Sequence, residues 1–337
     1  MIPADTPDLA IVVPTKNRKA TLLQMLDRLA TSTPGEGVEL IVVDDGSTDS
    51  SAEAVGRLTF PKGWRVEVVR RSPSGPASAR NAGASVAKSS VLLFLGDDSM
   101  PTQGLVEGHI RFHRDSPERE RALLGLVEPC PPLDKQALQV WLHRSGAQFG
   151  YGNLRPGIVT PTCFWTSNVS LKRSLFEEAG GFDESFPHAA CEDMELGLRL
   201  GRHGMELTYS DQVVAEHFHP TNLALTLIRM RRIGLSYRRL VELAPEMPAP
   251  PRPGSRHRLK ALALEAMCAV SRSRVSADGT WRFLCDQVVR EAYWDEAADD
   301  ALPTIGSRLA RRALQCPEAN PPLAVEPQPV AVLGTAQ

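Results

Sequence analysis

The chain has 337 residues, enough for about two domains at roughly 150 residues each. Its 42% hydrophobic and 23% charged residues are ordinary for a folded globular protein and exclude a disordered chain, a collagen and a coiled-coil rod. A formal net charge of -2 provides no global basic field of the kind that gathers nucleic acid.

The N-terminal stretch carries acids where a secretory signal needs bases, and no run of 18 apolar residues exists. The six cysteines include no CxxC pair, which disfavours a zinc knuckle and reads as reduced thiols. Together these features predict a cytoplasmic protein without a membrane span.

Three short, unalternated apolar runs open the chain: Leu9 to Val13, Leu40 to Val43 and Val91 to Leu95. Runs of this length, rich in branched side chains, suit strands covered on both faces. Leu22, Leu23, Leu26, Leu29 and Ala30 follow the spacing of an amphipathic helix. Ser51 to Leu58 and Ala77 to Ala87 are further helical segments, and Arg65 to Val69 reads as another strand. Strand alternating with helix predicts a parallel sheet with right-handed crossovers.

Each of the three runs ends in polar residues. These are Pro14-Thr15-Lys16-Asn17-Arg18, Asp44-Asp45-Gly46-Ser47 and Gly96-Asp97-Asp98-Ser99. Parallel strands would gather these groups at one sheet edge, where open α/β folds bind ligands. One such segment alone is accounted for by a chain turn and a helix cap, but three form a pattern. Neither GxGxxG nor GxxxxGK[ST] occurs, which disfavours a dinucleotide dehydrogenase and a P-loop NTPase. Paired carboxylates at a strand end suit Mg²⁺ or Mn²⁺ shared with phosphate oxygens. The expected ligand is therefore a metal-bound nucleotide diphosphate.

Further along, Trp165 to Asn168 reads as a strand and Gly180-Gly181 as a helix stop. Glu192-Asp193 opens a helix, whose dipole keeps a first-turn carboxylate ionised. His217 and His219 follow a short strand, Val213 to Ala215, and alternation sends both imidazoles to one face. Leu223 to Leu243 is an amphipathic helix carrying Arg229, Arg231, Arg232, Arg238 and Arg239. The stripe reads first as a solvated face and otherwise as a contact for an anionic partner: the donor diphosphate, a lipid-phosphate acceptor or, weakly, an anionic membrane surface. A Pro-rich linker spans Ala244 to Gly254, and Arg258 to Val270 and Thr280 to Ala298 read as helices.

The ordered pieces VVPTKNR, VVDDGSTD, ARNAG, FLGDDSMP, TSNVSLKR, GGFDE, CEDMELGLRLGRHG and HFHP cover about residues 9 to 220. Their set resembles the inverting GT-A glycosyltransferases of family 2. The resemblance implies an α/β, GT-A-like fold, a mainly parallel twisted sheet flanked by helices, with an added C-terminal helical region. It divides the chain into a catalytic domain over 1–220, a helical region over 221–316 and a disordered tail over 317–337. Within the first, the donor half spans about 1–101 and the acceptor half about 102–220.

The implied chemistry is metal-dependent transfer, with inversion, of a sugar from a nucleotide-diphosphate sugar, UDP-linked by resemblance, to an unidentified hydroxyl acceptor. By position, Pro14, Thr15, Asn17, Arg18, Asp45, Arg80 and Asp97 match the nucleotide-sugar site. Asp98 matches the ligand for Mn²⁺ or Mg²⁺, with His217, or alternatively His219, completing the shell. Gly96 stands where the family's Asp-x-Asp motif has its first acid. Asp193 matches the general base, and Trp165, Asn168, Gly181 and Glu192 border the acceptor. A sugar-nucleotide nucleotidyltransferase and a non-catalytic nucleotide-sugar-binding subunit are the competing readings. The first of these would want a Gly-rich loop after the first strand, which PTKNRKATL lacks.

Overall fold

The computed structural model describes residues 8–252, apart from 34, 36 and 132, together with 277–294. Strand β1 (Leu9–Thr15) is followed by α1 (Lys19–Ser32), β2 (Val38–Asp44), α2 (Ser51–Val55), β3 (Arg65–Arg70), α3 (Pro76–Val86) and β4 (Val91–Leu95). The four strands pair in parallel in the order β3-β2-β1-β4. β1, β2 and β4 are almost wholly buried, as expected of apolar runs covered on both faces. Their carboxyl ends, and so all three polar segments, meet at one edge of the sheet.

Beyond β4 the sheet becomes mixed. The elements are β5 (Ser99–Pro101), α4 (Leu105–Asp115), β6 (Arg121–Pro129), α5 (Ala137–Ser145), β7 (Gly157–Val159), β8 (Asn168–Lys172), α6 (Arg173–Glu178), α7 (Glu192–Arg202) and β9 (Glu206–His217). The order continues from β4 through β8, β6 and β9 to β5, with β7 also paired to β9. β8 runs antiparallel to β4 and β6, while β6 and β9 are parallel. The last strand is far longer than Val213 to Ala215, because β6 and β7 pair with its early residues.

Asn168 takes a different place from the acceptor border. It opens β8, fully buried, and its amide donates to the carbonyls of Leu126 and Val213 at 3.1 and 3.0 Å. It thereby bridges β6 and β9 at the register shift after Gly125. His109 Nε2 donates to Asn168 Oδ1, and His109 Nδ1 and His113 Nε2 converge on the Ser170 hydroxyl. Burial pushes these imidazoles down to about 4 and about 2, so both are neutral at pH 7. The network is polar packing between α4 and the sheet.

Helix α7 is held tightly. Leu196 and Leu200 are fully buried, each contributing about 1.5–3 kcal/mol. A Cβ on Gly197 would strike the Pro161 carbonyl and lie 2.8 Å from Phe164 Cβ. Gly197→Ala is therefore expected to lower stability by about 1–3 kcal/mol through overpacking, read as a reduced urea midpoint with an unchanged slope.

Two further helices, α8 (Leu223–Leu243) and α9 (Ala277–Trp294), form a second apolar cluster with α5. Trp141 meets Trp281 edge-on at 5.6 Å. The bounds of α8 coincide with the periodic segment. The segment 258–270, linker residues 253–254, residues 295–298 of the last helical segment and the tail 317–337 lie outside the described residues. No described helix is long and apolar enough to cross a membrane.

Candidate active site

A cavity of about 810 Å³ opens over the carboxyl ends of β1, β2 and β4. Pro14, Thr15, Arg18, Asp45, Arg80, Asp97 and Asp98 line it, as do Trp165, Glu192, Asp193, His217 and His219. Asn17, Asn168 and Gly181 do not line it. Asn17 instead ties the β1 and β2 loops together, accepting from Thr48 N at 2.7 Å and donating its own N–H to Ser47 Oγ.

At the floor, Thr15 donates to Asp97 Oδ2 at 2.8 Å. The Arg18 guanidinium spans both acids, 2.8 Å from Asp97 Oδ1 and 2.9 Å from Asp98 Oδ2. Burial raises Asp97 to about 6, against the pull of Arg18. Burial acts the same way on Asp98, but His217 and Arg18 overcome it and hold that carboxyl well below the usual range. An acid in place of Gly96 would require the neighbouring side chains to shift. A Cβ there would lie 2.8 Å from Asp98 Oδ1 and 2.9 Å from Ser99 Oγ.

His217 ends β9 and His219 follows it, their rings parallel and 5.3 Å apart. His217 Nε2 and His219 Nδ1 lie 3.3 and 3.2 Å from Asp98 Oδ2. The donor atoms of Asp98, His217 and His219 all fall within 4.8 Å of one another, a spacing that fits one metal ion. Both imidazoles join the cluster, so the two alternatives become a pair. One carboxylate and two imidazoles are a donor set that suits a divalent metal ion.

Asp45 spends its carboxylate on the 74–75 turn, accepting from Ser74 N and Gly75 N at 2.9 Å each. Arg80 is likewise engaged. Its Nη1 pairs with Glu192 Oε1 at 2.9 Å, and the guanidinium lies over the Phe182 ring. This joins α3 to the first turn of α7. The next residue on α3, Asn81, docks the Gly180–Glu184 segment by bonding Phe182 N, Phe182 O and Glu184 Oε1. Gly181, at φ +69°, has no room for a side chain against Asn81 Oδ1.

Asp193 follows Glu192 on α7 and accepts from Met194 N at 2.8 Å. The residue before the pair, Cys191, holds a left-handed φ of 68°, a costly conformation for a side chain with a Cβ. It turns the chain into α7 at the cavity wall. Burial, with the charge of Glu192, raises Asp193 to about 7. The carboxyl is thus half-ionised near neutrality, suited to taking up a proton.

Trp165 sits in the loop before β8, not on a strand, and packs 4.7 Å from Tyr151 and 5.9 Å from Phe149. The wall also includes Gln148, Phe149 and Cys163, which pattern reasoning did not single out, and Arg229. Gly146, Gly150 and Gly152 mark the first two as lying in a loop, the one local signal present. Arg229 enters from the basic helix. Of the other arginines, Arg231 is buried and Arg239 bonds Ser185 and Glu242. Arg232 is exposed, and Arg238 and Arg239 are half-buried.

The "Glycosyl transferase family group 2" model matches residues 92–282, and the "Glycosyl transferase family 2" model matches 10–119. A validoxylamine A glucosyltransferase of Streptomyces hygroscopicus subsp. jinggangensis is 31% identical over 277 residues, covering 72% of this chain and 63% of the relative. A pre-mycofactocin glycosyltransferase of Mycobacterium tuberculosis is 30% identical over 250 residues, covering 72% and 49%. The chain thus spans between about half and two thirds of the length of these relatives.

Among solved structures, the mannosyltransferase PcManGT from Pyrobaculum calidifontis, in complex with GDP-Man and Mn²⁺, superposes with a TM-score of 0.59 at 18% identity. That match covers 86% of this chain and 88% of the other. Residues 1–349 of S. aureus TarS, in complex with UDP, reach 0.51 at 14% identity, covering 85% and 90%. With a family model spanning more than half its length, and with this sheet order and strand-end cavity, the chain belongs to glycosyltransferase family 2 and has the GT-A fold.

Proposed function

We propose that the protein is a metal-dependent, inverting glycosyltransferase that moves a sugar from a nucleoside-diphosphate sugar to an acceptor hydroxyl. The observation that carries this reading is one cavity lined both by the Asp98, His217 and His219 donor set and by Asp193. Asp98 and the two histidines would hold Mn²⁺, which when bound neutralises charge on the departing diphosphate. Thr15 and Arg18 fix Asp97 and Asp98 in place for the nucleotide side. Asp193 takes the proton of the acceptor hydroxyl as that oxygen attacks the anomeric carbon. Attack by the acceptor itself, opposite the departing diphosphate, inverts the anomeric configuration. Trp165 and Phe149 offer aromatic faces that suit the apolar side of a sugar ring.

The 31% identical relative is a glucosyltransferase, which supports a hexosyl donor. One structural neighbour is in complex with GDP-Man and another with UDP, so both bases belong in a donor panel, with UDP-sugars favoured by the family resemblance. The test is release of nucleoside diphosphate from UDP- and GDP-sugars with Mn²⁺ and with EDTA. Activity with at least one donor, lost in EDTA, is expected. No release from any donor, with or without Mn²⁺, would overturn the reading. Inversion is checked separately by the anomeric coupling constant of the product.

A cytoplasmic location belongs to the same reading. With Arg231 buried and Arg229 on the cavity wall, peripheral contact with an anionic surface rests on the exposed Arg232 and the half-buried Arg238 and Arg239. One base contributes about 1 kcal/mol near such a surface. Sedimentation is therefore expected to leave the protein in the supernatant with neutral and anionic vesicles alike. Salt-sensitive pelleting with anionic vesicles would restore the membrane reading.

A further inference from the structure

We infer that Gln148 is the positioning residue that seats the His217 imidazole for metal coordination through Nε2. The inference rests on the metal reading proposed above. His217 turns Nε2 toward Asp98 Oδ2 at 3.3 Å, and its other nitrogen, Nδ1, lies 3.2 Å from the Gln148 side-chain amide. Among the described residues no other side chain is given a hydrogen bond to that Nδ1.

A ring that ligates through Nε2 must carry its proton on Nδ1, and that N–H needs an acceptor. A carboxamide is suited to both states of the ring. With its NH₂ toward Nδ1, Gln148 donates, and the ring keeps its proton on Nε2, facing Asp98. With the amide turned by half a revolution, Oε1 accepts from Nδ1–H and the Nε2 lone pair is freed. The two ends of the amide occupy nearly the same volume, so the exchange needs no repacking.

The segment that carries Gln148 is built to hold this contact. Gly146, at φ +74°, ends α5 and turns the chain toward the cavity. Phe149 then places its ring against the His217 imidazole at 5.6 Å and 70°, edge to face. Residues 148 and 149 therefore grip one imidazole from two directions, while Phe149 also contacts Trp165 on the cavity wall. The same short segment supports a metal ligand and forms part of the aromatic wall.

The test uses the full chain and Mn²⁺ alone, titrated by electron paramagnetic resonance of the free ion. Pulsed measurements on the bound ion count its coupled imidazole nitrogens. Wild type is compared with His217→Ala, Gln148→Met, which keeps the length but offers no acceptor oxygen, and Gln148→Glu, which keeps the acceptor. Gln148→Met is expected to weaken Mn²⁺ binding about 10- to 100-fold and to remove one imidazole coupling, as His217→Ala does. Gln148→Glu is expected to retain both the affinity and the coupling. If Gln148→Met keeps wild-type affinity and coupling while His217→Ala loses them, the positioning role is overturned and the metal reading stands. Loss of the coupling in Gln148→Glu as well would also overturn it. Absence of Mn²⁺ binding by the wild type would overturn the metal reading and this inference with it.

Discussion

Asp193→Asn is expected to slow sugar transfer by about 10²- to 10⁴-fold, the range for loss of a general base, with donor binding nearly unchanged. The amide keeps the shape of the carboxylate but cannot take the acceptor proton. The wild-type rate should also depend on pH in a defined direction. Burial and the adjacent Glu192 raise Asp193 to about 7, and only the ionised form is a base. The rate is therefore expected to rise from pH 6 to pH 8 with a midpoint near 7, falling about tenfold per unit well below it. That acid limb should vanish in the Asn variant.

The same shift has a consequence for stability. A carboxyl whose folded pKa lies above its unfolded value binds a proton more tightly when folded, so its ionisation costs stability as pH rises through the interval between the two. Asp193→Asn is accordingly expected to melt at a higher temperature than wild type at pH 8 and to lose that advantage near pH 4. Near-full turnover by the variant would remove Asp193 from the mechanism, whatever its stability.

Asp98→Ala is expected to abolish the metal-dependent part of nucleoside-diphosphate binding. In the wild type, Mn²⁺ with ligand at about 100 times its dissociation constant should add about 2.7 kcal/mol of stability. Without Asp98 the two imidazoles lose the oxygen that completes their set, and Arg18 loses one of its two carboxylates. Calorimetry with UDP and GDP, each with and without Mn²⁺, measures the effect. Equal metal dependence in wild type and variant would show that the ion binds elsewhere.

Much of the donor side is legible along the chain because its determinants are local. Leu9–Thr15, Val38–Asp44 and Val91–Leu95 are continuous apolar strands whose last residues adjoin the polar segments. Helix α8 coincides with its periodic segment because a long amphipathic pattern survives any neighbour. His217 and His219 share a face as alternation predicts, although β9 ends at His217.

The acceptor side is less legible. The short strand β8 lies antiparallel between β4 and β6, which nothing in its five residues specifies. Asn168 illustrates the difficulty. Its motif TSNVSLKR points to a site, whereas the shift between β6 and β9 captures its amide within the sheet. Arg80 and Asp45 line the cavity, yet their charges are largely used to hold Glu192 and the 74–75 turn. A motif identifies a position, but the partner of a charge depends on residues distant in sequence.

By itself, then, the sequence determined the parallel strands, the acids at their ends, the acidic pair at the start of α7 and the long helix α8. Each depends on contacts or periodicities within a few residues. Tertiary structure alone decided that both histidines, rather than one of them, meet Asp98 some 120 positions away, that Gln148 reaches His217 and that the basic helix turns Arg229 into the cavity. Those juxtapositions arise from sheet order and helix packing, which bring distant residues within hydrogen-bonding range and leave no local pattern in the chain.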